Sequence, residues 1–120
     1  MSQYDITVKR VYEPPVEDDG ARILVDRLWP RGMSKERARC DLWMKDVSPS
    51  HELRRWYQHD PERWPEFQRR YREELGEAEE ALNTLAEMAR HDKVTLLFSS
   101  KETEYNNAEA LRLLLLDMLI

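Results

Sequence analysis

Residues 26–31, Asp-Arg-Leu-Trp-Pro-Arg, bring one carboxylate, two guanidinium groups and an indole into six positions. Guanidinium groups fix phosphates and carboxylates through paired hydrogen bonds, a carboxylate can move a proton or hold a hydroxyl, and an indole can stack on a planar group. Two further stretches offer similar chemistry. Lys9 and Arg10 close the first apolar segment, and Ser99-Ser100-Lys101-Glu102 follows the last apolar run before the C-terminal helix. Together these residues describe a site for a small anion. Lys9, Arg10, Arg27, Trp29, Arg31, Ser99 and Lys101 would hold it, and Asp26 or Glu102 would handle a proton or hydroxyl.

Each candidate also has a structural reading. Asp26 and Arg27 could form an ion pair at a strand end, Lys101-Glu102 could be a solvated loop, and Trp29 beside Pro30 could only pack that loop. Cys40 follows Arg37 and Arg39, which favour a thiolate, yet a lone cysteine is more often a small buried hydrophobe. His51, His59 and His91 are scattered and have no metal-ligand spacing. The arginines between Arg54 and Arg72 alternate with Trp56, Tyr57, Trp64, Phe67 and Tyr71, a mix that could follow a nucleic-acid backbone. Glu62, Glu66, Glu73 and Glu74 lie among them, so a salt-bridged solvated face is the stronger reading.

The segments that must position these groups follow from apolar periodicity. Ile6–Val11 alternates as a strand and ends against Glu13-Pro14-Pro15, which cannot continue a central strand. Asp18-Asp19-Gly20 turns the chain into a buried second strand, Ile23-Leu24-Val25. Ser34 caps a short helix, Asp41–Val47 reads as a short extended segment, and Ser50 caps a helix carrying Leu53, Trp56 and Tyr57 on one face. From Phe67 an apolar stripe at spacings of three and four runs through Tyr71, Leu75, Ala78, Leu82, Leu85 and Ala89. A single rod of that length would reach roughly 35 Å, so two helices broken at Gly76 are expected. Val94–Phe98 is a nearly continuous apolar run of strand length, as in a parallel strand covered on both faces. The last helix begins between Thr103 and Asn107 and is apolar nearly all round.

These elements predict a single compact α/β domain over residues 1–120, with a small, mainly parallel sheet packed with helices. If the first, second and late strands are parallel, their exits share one edge. That carboxyl edge is where open α/β sheets bind ligands. A helix start directly after the late strand would add positive potential there.

Composition bounds the functions. The 120 residues carry a formal net charge of −5 with 36% charged residues, which disfavours nucleic acid and anionic membrane as partners. One cysteine excludes an intramolecular disulfide framework. No signal core or membrane-length apolar run is visible, so a cytoplasmic location is expected, with no metal and no cofactor. A second class of function would act through the last helix. Leu111, Leu114, Leu115 and Met118 form one apolar face, and Leu113, Leu116 and Ile120 form another that could make a homodimer or a regulatory contact.

Several stretches together resemble the YeaO-like family, domain of unknown function 488. They are Val8-Lys9-Arg10-Val11-Tyr12 with Pro14-Pro15, Asp19-Gly20, and the run Val25-Asp26-Arg27-Leu28-Trp29-Pro30-Arg31-Gly32. Further on come Trp43-Met44-Lys45-Asp46, Pro49-Ser50, Leu53-Arg54, His59-Asp60-Pro61, Trp64, Phe67, Tyr71, Thr95-Leu96-Leu97 and Asn106. The resemblance covers nearly the whole chain and implies a compact α/β fold in small, mostly bacterial proteins. It supplies no established activity and no catalytic residue. The family pattern has a histidine-containing version of the segment written here as Tyr105-Asn106-Asn107. Any mechanism that needs a histidine at that helix start is therefore in question for this chain.

Overall fold

The computed structural model describes residues 4–119. Four parallel strands, β1 (Ile6–Arg10), β2 (Ala21–Leu24), β3 (Leu42–Trp43) and β4 (Val94–Phe98), form one sheet in the order β1-β4-β2-β3. β4 sits between strands drawn from the first quarter of the chain. Ile6 is in register with Val94, and Ala21 is in register with the same residue from the other side. All five residues of β4 are buried, which explains its nearly unbroken apolar sequence; the one polar member, Thr95, donates its hydroxyl to the Asp19 carbonyl.

The two faces of the sheet are covered unequally. Ile6, Ile23, Val25, Val94, Leu96 and Phe98 share the large core with α2 (His51–Tyr57), α3 (Trp64–Leu75), α4 (Glu79–His91) and α5 (Asn107–Met118). On the opposite face Val11, Leu24 and Leu97 meet a thin cover of Met33, Ala38, Trp29, Cys40 and Trp43, contributed by the β2–β3 connection with its α1 (Lys35–Ala38) and by β3. The architecture is thus an α/β sandwich of two layers plus a short strap.

Local chemistry accounts for most boundaries. Ser34 and Ser50 accept the amides of Arg37 and Leu53 and start α1 and α2. α2 ends in two consecutive left-handed residues, Gln58 and His59 (φ 49° and 53°). Pro61 opens a 3-10 turn that leads directly into α3, so both prolines of the Pro61–Pro65 segment fit without breaking a regular turn. The long stripe divides where expected: a 3-10 turn at Gly76–Ala78 separates α3 from α4.

Two expectations need correction. The extended segment expected from Asp41 to Val47 is a strand only at Leu42–Trp43. From Lys45 to Val47 it winds into a 3-10 turn, which buries Val47 and turns its carbonyl to the Tyr71 hydroxyl. The final helix is less two-faced than its composition suggests. Leu111 and Leu115 are buried against the sheet and helices, Leu113, Leu114 and Leu116 are half-buried, and Met118 is exposed. Ile120, the third residue of the expected dimer face, lies outside the described residues. Among the described residues no helix is long and apolar enough to cross a membrane.

Candidate functional site

Because β1, β2 and β4 are parallel, their exits do share one edge. Leaving β2 the chain travels toward β3, whereas leaving β4 it turns back into α5, which packs on β1 and β4. The two exits diverge, and a crevice opens between them at the carboxyl ends.

Asp26 stands at the mouth of that crevice. The β2–β4 ladder runs one bond beyond the strand, with the Val25 amide on the Leu97 carbonyl, so Asp26 is the first side chain past the sheet. Its Oδ2 accepts the Ser99 amide and the Ser99 hydroxyl, both at 2.8 Å, and its Oδ1 accepts Asn107 Nδ2 at 3.1 Å. The Trp43 indole donates to its main-chain carbonyl at 2.8 Å. The residue is held from three elements. It makes no ion pair among the described residues, so the Asp26–Arg27 pair is not present.

A cavity of about 490 Å³ opens from this point. Arg27 and Arg31 enter it from the β2 exit, His51, Arg54 and Arg55 from α2, and His59 from the turn after α2. Tyr12, Leu28, Trp29, Tyr57 and Phe67 supply aromatic and apolar wall. Arg27, Arg31, Arg54 and Arg55 are all exposed, and among the described residues none of their guanidinium groups has a hydrogen bond, ion pair or ring partner. Neighbouring arginines behave differently. Arg63 pairs with Asp60, Arg69 and Arg70 pair with Glu66, and Arg72 pairs with Asp117.

The loop that carries Arg27 and Arg31 is anchored at both ends. The Tyr12 hydroxyl donates to the Arg31 carbonyl at 2.8 Å, and Trp29 donates to the Met33 carbonyl at 2.6 Å while meeting Trp43 edge-on. Trp29 therefore packs the loop and lines the cavity at once. Leu28 lies 68% exposed at the rim, an unusual position for a large apolar side chain beside so many charges.

The remaining candidates have other tasks. Lys9 lies on the opposite face, where it donates to Asp19 and to the Pro14 carbonyl. Arg22 reaches the same carboxylate at 2.6 Å and also caps the Ala38 carbonyl. Burial pushes the Asp19 carboxyl up, but the Val16 amide, Lys9 and Arg22 outweigh it and leave the group below the usual carboxylate range. Arg10 donates to the Ser100 and Ser99 carbonyls at 2.8 and 3.1 Å. It thereby positions the loop whose Ser99 holds Asp26. Lys101 is exposed and outside the cavity lining. Glu102 accepts the Glu104 and Tyr105 amides, which hold its carboxyl below the ordinary value, and it acts as the cap of that turn. Cys40 packs beneath the strap, and burial pushes its thiol up despite the pull of Arg22. His91 sits on the surface of α4 with Glu87. Among the described residues no cluster of His, Cys, Asp and Glu is arranged to hold a metal ion.

Of the cavity's polar side chains, Asn107 is read from the sequence only as a helix start, His51 and His59 only as scattered histidines, and Arg54 and Arg55 only as part of the basic run. A signal for the arginines was present. At offsets of three and four Arg54 sees Ser50, His51, Tyr57 and Gln58, none of them acidic, and Arg55 sees only Glu52. Arg69 and Arg70 of α3, in contrast, have glutamates at those offsets.

Comparison with known proteins decides the family. Residues 5–120 match a family described as the inactive DUF488-N3 subclade. The chain belongs to the YeaO-like DUF488 family. The uncharacterized protein Rv3073c of Mycobacterium tuberculosis is 44% identical over 110 residues, covering 92% of each chain. The uncharacterized protein YeaO of Escherichia coli is 42% identical over 104 residues, covering 87% of this chain and 90% of its own. No solved structure matches this YeaO-like chain at a significant level.

Proposed function

We propose that this protein is a cytoplasmic receptor for a small phosphate- or carboxylate-bearing ligand, bound at the carboxyl edge of the sheet. One observation carries the reading. Four guanidinium groups without partners among the described residues line one cavity of a protein whose formal net charge is −5. Unpaired like charges repel, and no stability argument gathers them on an acidic protein; a bound anion does.

Binding without turnover is favoured over catalysis. The family description names an inactive subclade, and the segment that contains a histidine in the family pattern is Tyr105-Asn106-Asn107 here. Asn107 contributes an amide that holds Asp26 in place.

Thermal unfolding in the presence of inorganic phosphate, citrate and nucleoside monophosphates tests the reading. A ligand at about 100 times its dissociation constant adds roughly 2.7 kcal/mol, a shift of about 10 °C for a domain of this size. The shift should disappear in Arg27→Gln/Arg54→Gln. The reading fails if no anion shifts the wild-type protein, or if the shift survives in the double variant. Large salt-sensitive shifts with single-stranded RNA alone would point to nucleic acid instead.

A further inference from the structure

Resting on that reading, the geometry points to a narrower ligand class: a phosphate ester carrying a free hydroxyl, as sugar phosphates do, with Asp26 as the residue that selects it. Asp26 is an anion inside an anion site. Four arginines line the same cavity, yet the carboxylate is paired with none of them and is held by neutral donors instead. A bare phosphate seated against it would place like charges in contact. A ligand that fills the cavity must therefore keep its charge at the arginines and offer Asp26 a hydrogen-bond donor.

The acceptor is free and fixed. Each carboxylate oxygen offers about two acceptor positions. Oδ2 uses both on Ser99, whereas Oδ1 uses one on Asn107. One position on Oδ1 remains, and Asp26 lines the cavity. Rotation is blocked because Ser99 and Asn107 grip opposite oxygens, and Asn107 is itself tied to the Val25 carbonyl at 3.1 Å. A preset acceptor of this kind discriminates more sharply than a mobile one, since no ordering cost falls on binding.

Cavity size and wall agree with the assignment. At about 490 Å³ the space fits a ligand of metabolite size, well beyond one phosphate group. Tyr12, Trp29 and Leu28 give the uncharged part of the ligand a surface to lie on.

Isothermal titration of the full chain with ribose 5-phosphate, phenyl phosphate and inorganic phosphate decides it. Phenyl phosphate has the charge and an uncharged body but no hydroxyl. Ribose 5-phosphate should bind wild type about ten to a hundred times more tightly than either other probe, the effect expected of one hydrogen bond to a charged acceptor. Asp26→Asn should weaken ribose 5-phosphate at least tenfold and leave phenyl phosphate unchanged or tighter. Phenyl or inorganic phosphate binding wild type as tightly as ribose 5-phosphate overturns the selection by Asp26 and leaves the anion site standing. Absence of binding by all three probes removes both. The wild-type comparison is decisive even if Asp26→Asn does not fold.

Discussion

If the cavity arginines exist to meet a ligand, the ligand-free protein should become more stable when two of them lose their charge. The perturbation is Arg54→Gln/Arg55→Gln, chosen because both residues are exposed on α2 and neither side chain has a partner among the described residues. Taking the linear dimension of the 490 Å³ cavity, about 8 Å, as the spacing of its guanidinium groups sets the scale of their repulsion. In water two unit charges that far apart repel by about 0.5 kcal/mol. With Arg27 and Arg31 the four cations make six pairs, and neutralising two of them removes five. The gain is about 2.5 kcal/mol at low ionic strength. At 0.15 M salt, where the screening length is about 8 Å, it falls to about 1 kcal/mol. Urea unfolding at 10 mM and 150 mM salt reads both numbers, and the gain must shrink as salt rises. Loss of more than about 1 kcal/mol at both salt concentrations, with an unchanged slope in urea, would refute the reasoning. It would show that the two arginines are structurally engaged.

Two further predictions concern the scaffold. Gly20 has φ +64°, and a Cβ there would lie 2.4 Å from the Lys93 carbonyl oxygen, whereas Gly32 has φ +74° with open space around it. Gly20→Ala should therefore cost about 2–4 kcal/mol and Gly32→Ala only about 1–2 kcal/mol; equal losses in chemical denaturation would contradict the close approach. Asp19 should shape the acid limb of stability. Its folded carboxyl is depressed while the unfolded one titrates near 3.9, so its contribution is complete above that value and is lost as pH falls further. Asp19→Asn should lower stability at neutral pH and flatten the decline below pH 4, and an unchanged acid limb would count against the assignment.

Much of the scaffold was readable because local pattern and tertiary demand agreed. The nearly continuous apolar run at Val94–Phe98 announced a strand covered on both sides, and it is the strand between β1 and β2. The period of the Phe67–Ala89 stripe and the position of Gly76 together located α3, α4 and the turn between them. The shared carboxyl edge followed from the strand exits.

The site was harder to read, for a physical reason. Whether a cation is free depends on partners far away in sequence. Lys9 and Arg10 are adjacent, but alternation along β1 sends one to Asp19 and the other to the carbonyls of residues 99 and 100. Those carbonyls have no signature in the sequence. Arg54 and Arg55 were hidden by the opposite error, because glutamates farther along the basic run were credited to the whole of it. Asn107 was visible only as a cap candidate; Asn106 is the cap, and its neighbour reaches across to Asp26.

The strand order has a consequence for how the chain comes into being. β1 and β2 are separated in the sheet by β4 and do not pair with each other. A nascent chain emerging from the ribosome thus holds two strands with no mutual partner until residues 94–98 have been synthesised. The sheet closes only once β4 has been made, through contacts that span some ninety residues, which makes folding slow relative to that of a helical bundle. Until then the apolar strands depend on the helices made between them for cover. A fragment ending before Val94 should have helical segments and at most the short β2–β3 pair, and without β4 the edge that bears the cavity does not form.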